Sequence, residues 1–326
     1  MRRSRNILFF IILSAWTLTS CEKDTGTETV NVPIGFSNNV TTATRAGDIN
    51  NDNLTSIGVF ASLTHGNFDA TISTPNFMYN QLVEKKNGTW QYTPLKYWPN
   101  NDSDKISFFA YAPHNATGVT LSSTPQKGYP SFTYAAPTAE ADQVDLLVAT
   151  PIVNQNQGSV DFKMQHALTK VVFNVKSNDD ITGKVITAFS VTGAKSGTLA
   201  FHAPANDDDK GFGWSYPSTV TAETFTATTK SLGVPNKTEE AVTLCTYFLL
   251  PGNVGNTFNI TYTYTGSNGK QTVTLKNQPL PSLDKWLPGA FVSYTIGIDK
   301  KVVTATTESH PTWGDGGQGS VEGTIN

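Results

Sequence analysis

KISFFAYAP, residues 105–113, decides how this chain folds. Apolar and aromatic side chains fill nearly every place in it, and such residues sit best on a pleated surface. It reads as a central strand. Pro113 ends it, because proline has no N–H to give to a sheet ladder. The same signature returns as VTLCTYFLL at residues 242–250, closed by Pro251-Gly252.

Upstream, LTSIGVFASL (54–63) is a strand, and NFMYNQLVE (76–84) and TWQYTPLKYW (89–98) flank Lys86-Asn87-Gly88. Asn-Gly accepts the positive backbone angles of a tight hairpin, so these two segments are expected to pair. Residues 130–135 and VDLLVA (144–149) complete the first half. The order then starts again. VDFKMQHALTKVVFNV (160–175) holds a strand in its second half, and VITAFSV (185–191) stands where LTSIGVFA stood. Residues 197–201 follow, then a polar excursion and VTLCTYFLL. Residues 258–264 and 270–275 flank a second hairpin signal, Ser267-Asn268-Gly269. AFVSYTIGI (290–298) is the last strong strand, with Val302-Val303 a weaker candidate. No long segment shows the apolar spacing of a helix. The expected fold is all-β, with two tandem β-sandwich domains at residues 30–157 and 158–326.

Composition agrees. The 326 residues suit two domains of ordinary size. The net charge is −3, from 23 basic and 26 acidic residues, without a basic stripe, which argues against nucleic acid as a partner. Only 15% of residues are charged, while Thr, Asn, Ser, Gly and aromatics abound, a balance that suits extracellular β-structure.

The N-terminus has its own order. Arg2, Arg3 and Arg5 precede an apolar run over residues 7–16, and Leu18-Thr19-Ser20 lead to Cys21. This is the layout of a secretory signal peptide (residues 1–20), too short to span a bilayer core of ~30 Å. It resembles the lipobox of bacterial lipoproteins, which implies cleavage before Cys21 and its acylation with palmitate-like chains in the outer membrane. Cys245 is then the only remaining thiol and reads as a small buried hydrophobe. Residues 21–29 form a polar tether. Val30, Val32, Ile34 and Phe36 alternate with polar or small residues as a half-buried strand does. Residues 38–53 are expected to form an exposed loop with Arg45 in its middle, accessible to a protease. By residue pattern alone, Arg45 reads better as an ordinary solvated loop cation than as a cleavage site.

Catalytic and metal chemistry is not evident. Asp48, Asn50 and Asp52 match the start of an EF-hand loop, but Asn53 and Val59 stand where glycine and a bidentate glutamate belong. The run Asp207-Asp208-Asp209 reads as a solvated loop. The 5 histidines lack metal-ligand spacing. Glu140, Asp142 and Asp145 are read as a loop edge rather than a glycosidase pair. No cofactor is expected, nor an enzyme. Trp90, Tyr92, Tyr97 and Trp98 cluster around one hairpin and could stack on a glycan.

Several stretches in order resemble the fimbrillins of Bacteroidales, the FimA/Mfa-like lipoproteins. They are the alternating strand ending in Thr44-Arg45-Ala46, LTSIGVFA (54–61), Trp90-Gln91-Tyr92 with Lys96-Tyr97-Trp98-Pro99, and ISFFAYAP (106–113). DLLVA (145–149), His166-Ala167-Leu168 before a strand, and Pro311-Thr312-Trp313 complete the set. The resemblance implies transthyretin-like, Greek-key sandwiches and a structural subunit of a surface fimbria. It implies an Arg-specific surface protease cutting between Arg45 and Ala46, removal of the strand carrying Val30, Val32, Ile34 and Phe36, and its replacement by a strand from a neighbouring subunit. Val321, Thr324 and Ile325 in the glycine-rich tail are the candidate donor positions. Partners are then further copies or other fimbrial subunits, with a host protein or glycan as adhesion target. The alternative is a surface lipoprotein that binds glycans through exposed aromatics and does not polymerise.

Overall fold

The structure, a computed structural model, describes residues 31–40, 48–228, 231–252, 257–281, 286–299, 303–310 and 323–324. The first half contributes β1 (Gly35–Val40), β2 (Ser56–His65), β3 (Met78–Lys86), β4 (Thr89–Gln91), β5 (Asp104–Ala112), β6 (Val119–Thr120), β7 (Ser131–Ala135), β8 (Leu147–Ala149), β9 (Ile152–Gln155) and β10 (Ser159–His166). Then come β11 (Thr169–Ser177), β12 (Val185–Ala194), β13 (Ser196–Phe201), β14 (Phe212–Ser215), β15 (Ala222–Thr226), β16 (Leu232–Gly233) and β17 (Val242–Leu249). The chain closes with β18 (Thr257–Gly266), β19 (Gly269–Pro279), β20 (Phe291–Ile298), β21 (Val303–His310) and β22 (Gly323–Thr324). Among the described residues there is no α-helix, only a 3₁₀ turn at Glu140–Asp142.

An eight-stranded sheet runs β1-β10-β8-β5-β2-β3-β4, with β9 also paired to β5. Ile106, Phe108, Ala110 and Ala112 of β5 face one apolar cluster, and Phe109 and Tyr111 face the other. Burial on both faces explains why KISFFAYA shows no alternation. One face is covered by the four-stranded sheet β14-β13-β7-β6, through Phe109 against Phe201 (5.5 Å between centroids) and Tyr111 against Phe132 (5.2 Å).

Apart from β13 and β14, which join β7 and β6, the second half folds as two five-stranded sheets, β17-β11-β20-β21-β22 and β15-β12-β18-β19 with β16 on β12. They pack face to face through Phe173 of β11 and Phe189 of β12, whose rings lie 4.8 Å apart, so the architecture is all-β and sandwich-like. Cys245 is buried, and burial pushes its thiol well above the usual range, as a structural cysteine requires. From Val32 onward the chain forms one compact unit.

Both hairpins form where Asn and Gly mark them. Lys86 pairs with Thr89 across Asn87 (φ 52°) and Gly88 (φ 79°), and Gly266 pairs with Gly269. Three placements differ from the sequence reading. Ser159–His166, expected to open the second domain, lies between β1 and β8 in the first sheet, because Val160, Phe162 and Met164 complete its inner face. The weak candidate at Val303 is a full strand. Thr-rich β21 pairs with β20 along its whole length, from Phe291 opposite His310 to Ile298 opposite Val303. Residues 38–40, read as loop, continue β1, since backbone pairing to Phe162, Lys163 and Met164 needs no apolar side chain.

Candidate functional site

The alternating stretch becomes the strand that completes the first sheet. β1 runs parallel to β10, from Gly35 opposite Ser159 to Val40 opposite Met164. The residues just before it, 32–34, meet the segment that follows β4 at the far end of the same sheet. The Ile34 N–H donates to the Lys96 carbonyl, and the Trp98 N–H to the Val32 carbonyl, each at 2.9 Å. The sheet therefore rolls up until its two edges nearly meet, and β1 with the residues before it closes the gap.

Side chains of Ile34, Phe36 and Val40 enter the cluster inside this roll. The Phe36 ring stacks on Phe162 at 5.8 Å and meets Tyr92 and Phe108 edge-on at 5.2 and 5.9 Å. Full burial of such a ring contributes about 2–3 kcal/mol. Tyr92 also donates its hydroxyl to the Ile34 carbonyl (2.9 Å), and Trp98 Nε1 donates to the Gly158 carbonyl (3.0 Å). Asn38 is the weak point: its Nδ2 is buried without a hydrogen-bond partner, a defect costing about 1–3 kcal/mol. Val32 is 51% exposed, so it stands outside the core the alternation assigned to it, beside exposed Leu95 and Tyr97. It precedes the point where β1 meets β10, and only its carbonyl is used.

The chain beyond β1 is fixed as firmly as the strand. Asp48, read as part of an exposed loop, is 2% exposed and forms a buried ion pair with Lys170 at the start of β11. The next amide, Ile49 N–H, donates to Asp145 (3.0 Å), whose carboxylate lies 3.0 Å from His166 Nδ1. Burial pushes the Asp145 carboxyl above its ordinary range, against the opposing pull of His166. Breaking a buried pair such as Asp48–Lys170 costs about 3–5 kcal/mol, because the remaining charge is stranded.

Val30, Cys21, Arg45, Ala46, Val321 and Ile325 lie outside the described residues. Arg45 falls between the last residue of β1 and the anchored Asp48. The backbone at Thr324 pairs with Thr306 of β21. The aromatic cluster is mostly structural: Trp98 is 5% exposed and Tyr92 and Trp90 are half-buried, leaving Tyr97 open. Glu140 and Asp145 have structural partners too, Glu140 accepting the Thr246 and Thr228 amides at 2.8 Å each. Sequence reasoning read Asp48 and Glu140 only as loop residues and passed over Lys170. It also passed over one available signal: beyond Arg5, Arg45 is the only arginine in the chain.

A β-sandwich protein whose first sheet is closed by an edge-completing strand belongs to the all-β class. The chain is a member of the fimbrillin-like family, whose model matches residues 42–313. The fimbrium subunit Fim1C of Phocaeicola vulgatus is 32% identical over 209 residues, covering 57% of this chain and 55% of that one. The chain thus spans about half the length of this curated relative. The crystal structure of a fimbrial protein from Bacteroides vulgatus superposes with a TM-score of 0.62 at 22% identity, over 86% of this chain and 99% of the other. A candidate cell adhesion protein from Bacteroides uniformis gives 0.54 at 17% identity, over 87% and 98%. These two likenesses concern the fold.

Proposed function

We propose that the chain is a structural subunit of a cell-surface fimbria, exported as an outer-membrane lipoprotein through Cys21 and assembled by protease-triggered strand exchange. An Arg-specific surface protease cuts between Arg45 and Ala46. β1 is then joined to the body only by non-covalent contacts, and a strand from another subunit takes its place. The observation that carries this reading is that β1 fills the gap between two edges of one rolled sheet. Loss of the strand leaves unpaired backbone groups on both sides and an apolar groove between them, the situation that strand addition relieves.

Two further facts support it. The buried Asp48–Lys170 pair holds the chain immediately after the cut, so the new N-terminus stays on the body while the segment before it is free to leave. Arg45 is the one arginine beyond the signal region, so an Arg-specific enzyme has a single target in the exported chain. The tail positions Val321, Thr324 and Ile325 are assigned as the donor toward a following subunit, and the assembled fibre supports adhesion to a host protein or glycan. We divide the body into two tandem sandwiches, with β10 in the first and the boundary beside Ala167.

Arg45→Ala tests the reading. The variant is expected to stay lipid-bound and unpolymerised at the cell surface. Normal fibres built from it would contradict the switch.

A further inference from the structure

The groove filled by β1 also specifies what replaces it. Four alternate residues of the strand line the inside: Ile34, Phe36, Asn38 and Val40. Ile34, Phe36 and Val40 are 1%, 8% and 5% exposed, and the Phe36 place is walled by the rings of Phe162, Phe108 and Tyr92. Asn38 is a misfit, since its buried Nδ2 has no acceptor. An amide nitrogen stripped of water without a partner weakens the strand relative to an apolar side chain of similar size. β1 is thus an adequate plug with one built-in flaw.

This chain's own tail does not match the groove. Placed with Val321 at the Phe36 position and Ile325 at the Val40 position, it removes the Asn38 flaw, because Gly323 falls there. The same register puts Gly319 at the Ile34 position and leaves the aromatic pocket occupied by a valine. Run the opposite way, Ile325 takes the Phe36 position, so the aromatic pocket again holds an aliphatic side chain, and Gly323 and Val321 fall at the Asn38 and Val40 positions. With Trp313 in the aromatic pocket, Asp315 lands at the half-buried Asn38 position in one direction and at the Ile34 position in the other, with Gly317 or Ser309 at the Val40 position. Each of these registers leaves cavities or places a charge in the groove, both of which disfavour insertion.

We propose that the strand displacing β1 comes from a different subunit, not from a second copy of this chain. At alternate positions it carries an aliphatic residue, an aromatic residue, a small apolar residue and an aliphatic residue. This rests on the strand-exchange reading and adds partner selection to it. The fibre then has a fixed order at this joint, with the tail of this chain serving another kind of groove.

The test uses the full chain without its lipid, cut once at Arg45, with the excised strand still seated. Four synthetic peptides compete for the groove. They are residues 30–40, the same with Asn38→Val, residues 317–326, and 317–326 with Gly319→Ile and Val321→Phe. Release of the resident strand is followed by mass spectrometry after size exclusion. The Asn38→Val peptide is expected to displace it at about tenfold lower concentration than the unmodified strand, the factor a single unsatisfied amide supplies. The native tail peptide is expected to release nothing, and the doubly substituted tail to regain displacement. Release by the native tail equal to that by residues 30–40 would overturn the partner assignment while leaving strand exchange intact. No release by any peptide, residues 30–40 included, would remove the exchange reading itself and this inference with it. Equal potency of the Asn38→Val and unmodified peptides would overturn the role given to Asn38.

Discussion

Two sheet edges in this molecule face the same hazard and are closed by different means. At one, residues 32–40 add a strand whose second part pairs with β10 and whose first part pairs with the segment after β4, with Ile34, Phe36 and Val40 beneath it. At the other, the outer side of β17 is capped by side chains. Glu140 Oε1 accepts the Thr246 N–H and Gln143 Oε1 accepts the Phe248 N–H, each at 2.8 Å, while Glu140 Oε2 reaches the Thr228 amide beyond β15. Ala139 also bridges to Thr226. The strap at residues 137–143 lies in mid-chain between β7 and β8, so no cut at Arg45 releases it. β1 precedes such a cut and has nothing else to hold it covalently. An open edge invites pairing with another chain, and here one edge is sealed by a mid-chain strap while the other is sealed by a strand that the proposed cut at Arg45 would detach from the rest of the chain.

That contrast can be broken from either side. Asp48→Ala is expected to have the largest effect, about 3–5 kcal/mol of lost stability, since it breaks a buried ion pair. Urea denaturation of the uncut chain measures it. Phe36→Ala should cost about 3 kcal/mol or more in the same experiment, for the lost ring and the cavity it leaves. Its effect should vanish once the chain is cut at Arg45 and the excised strand removed. The pair Glu140→Ala with Gln143→Ala should cost about 2–3 kcal/mol through orphaned amides. It should also produce concentration-dependent dimers through β17, read by sedimentation. A folded double variant that stays monomeric would show that the strap does not guard the edge. The smallest change is a gain: Asn38→Val should raise stability by about 1 kcal/mol, visible as a higher Tm of the uncut chain.

Much of the first edge was legible in the sequence, and almost none of the second. The alternation through Ile34 and Phe36 announced a half-buried strand, and Asn87-Gly88 placed the hairpin whose outgoing arm returns to meet it. Alternation does not say where pairing begins, however. Val32 was assigned to the core although only its carbonyl is used, and Asn38 to Val40 were taken for loop although their backbone pairs with β10. Asp48 and Lys170 stand 122 positions apart and Glu140 and Thr246 stand 106 apart. A buried ion pair and a capped edge of that range leave no local periodicity. Residue types pointed the wrong way as well: an aspartate in an Asn-rich stretch and a glutamate before Ala-Asp both look solvated until the fold removes their water.

The most direct test of the removable edge is the mass and N-terminal residue of the protein recovered from native fibres. A chain beginning at Ala46, with residues 30–40 absent from the assembled subunit, is the expected result. Fibres whose subunits still begin at acylated Cys21 and retain β1 would contradict the account.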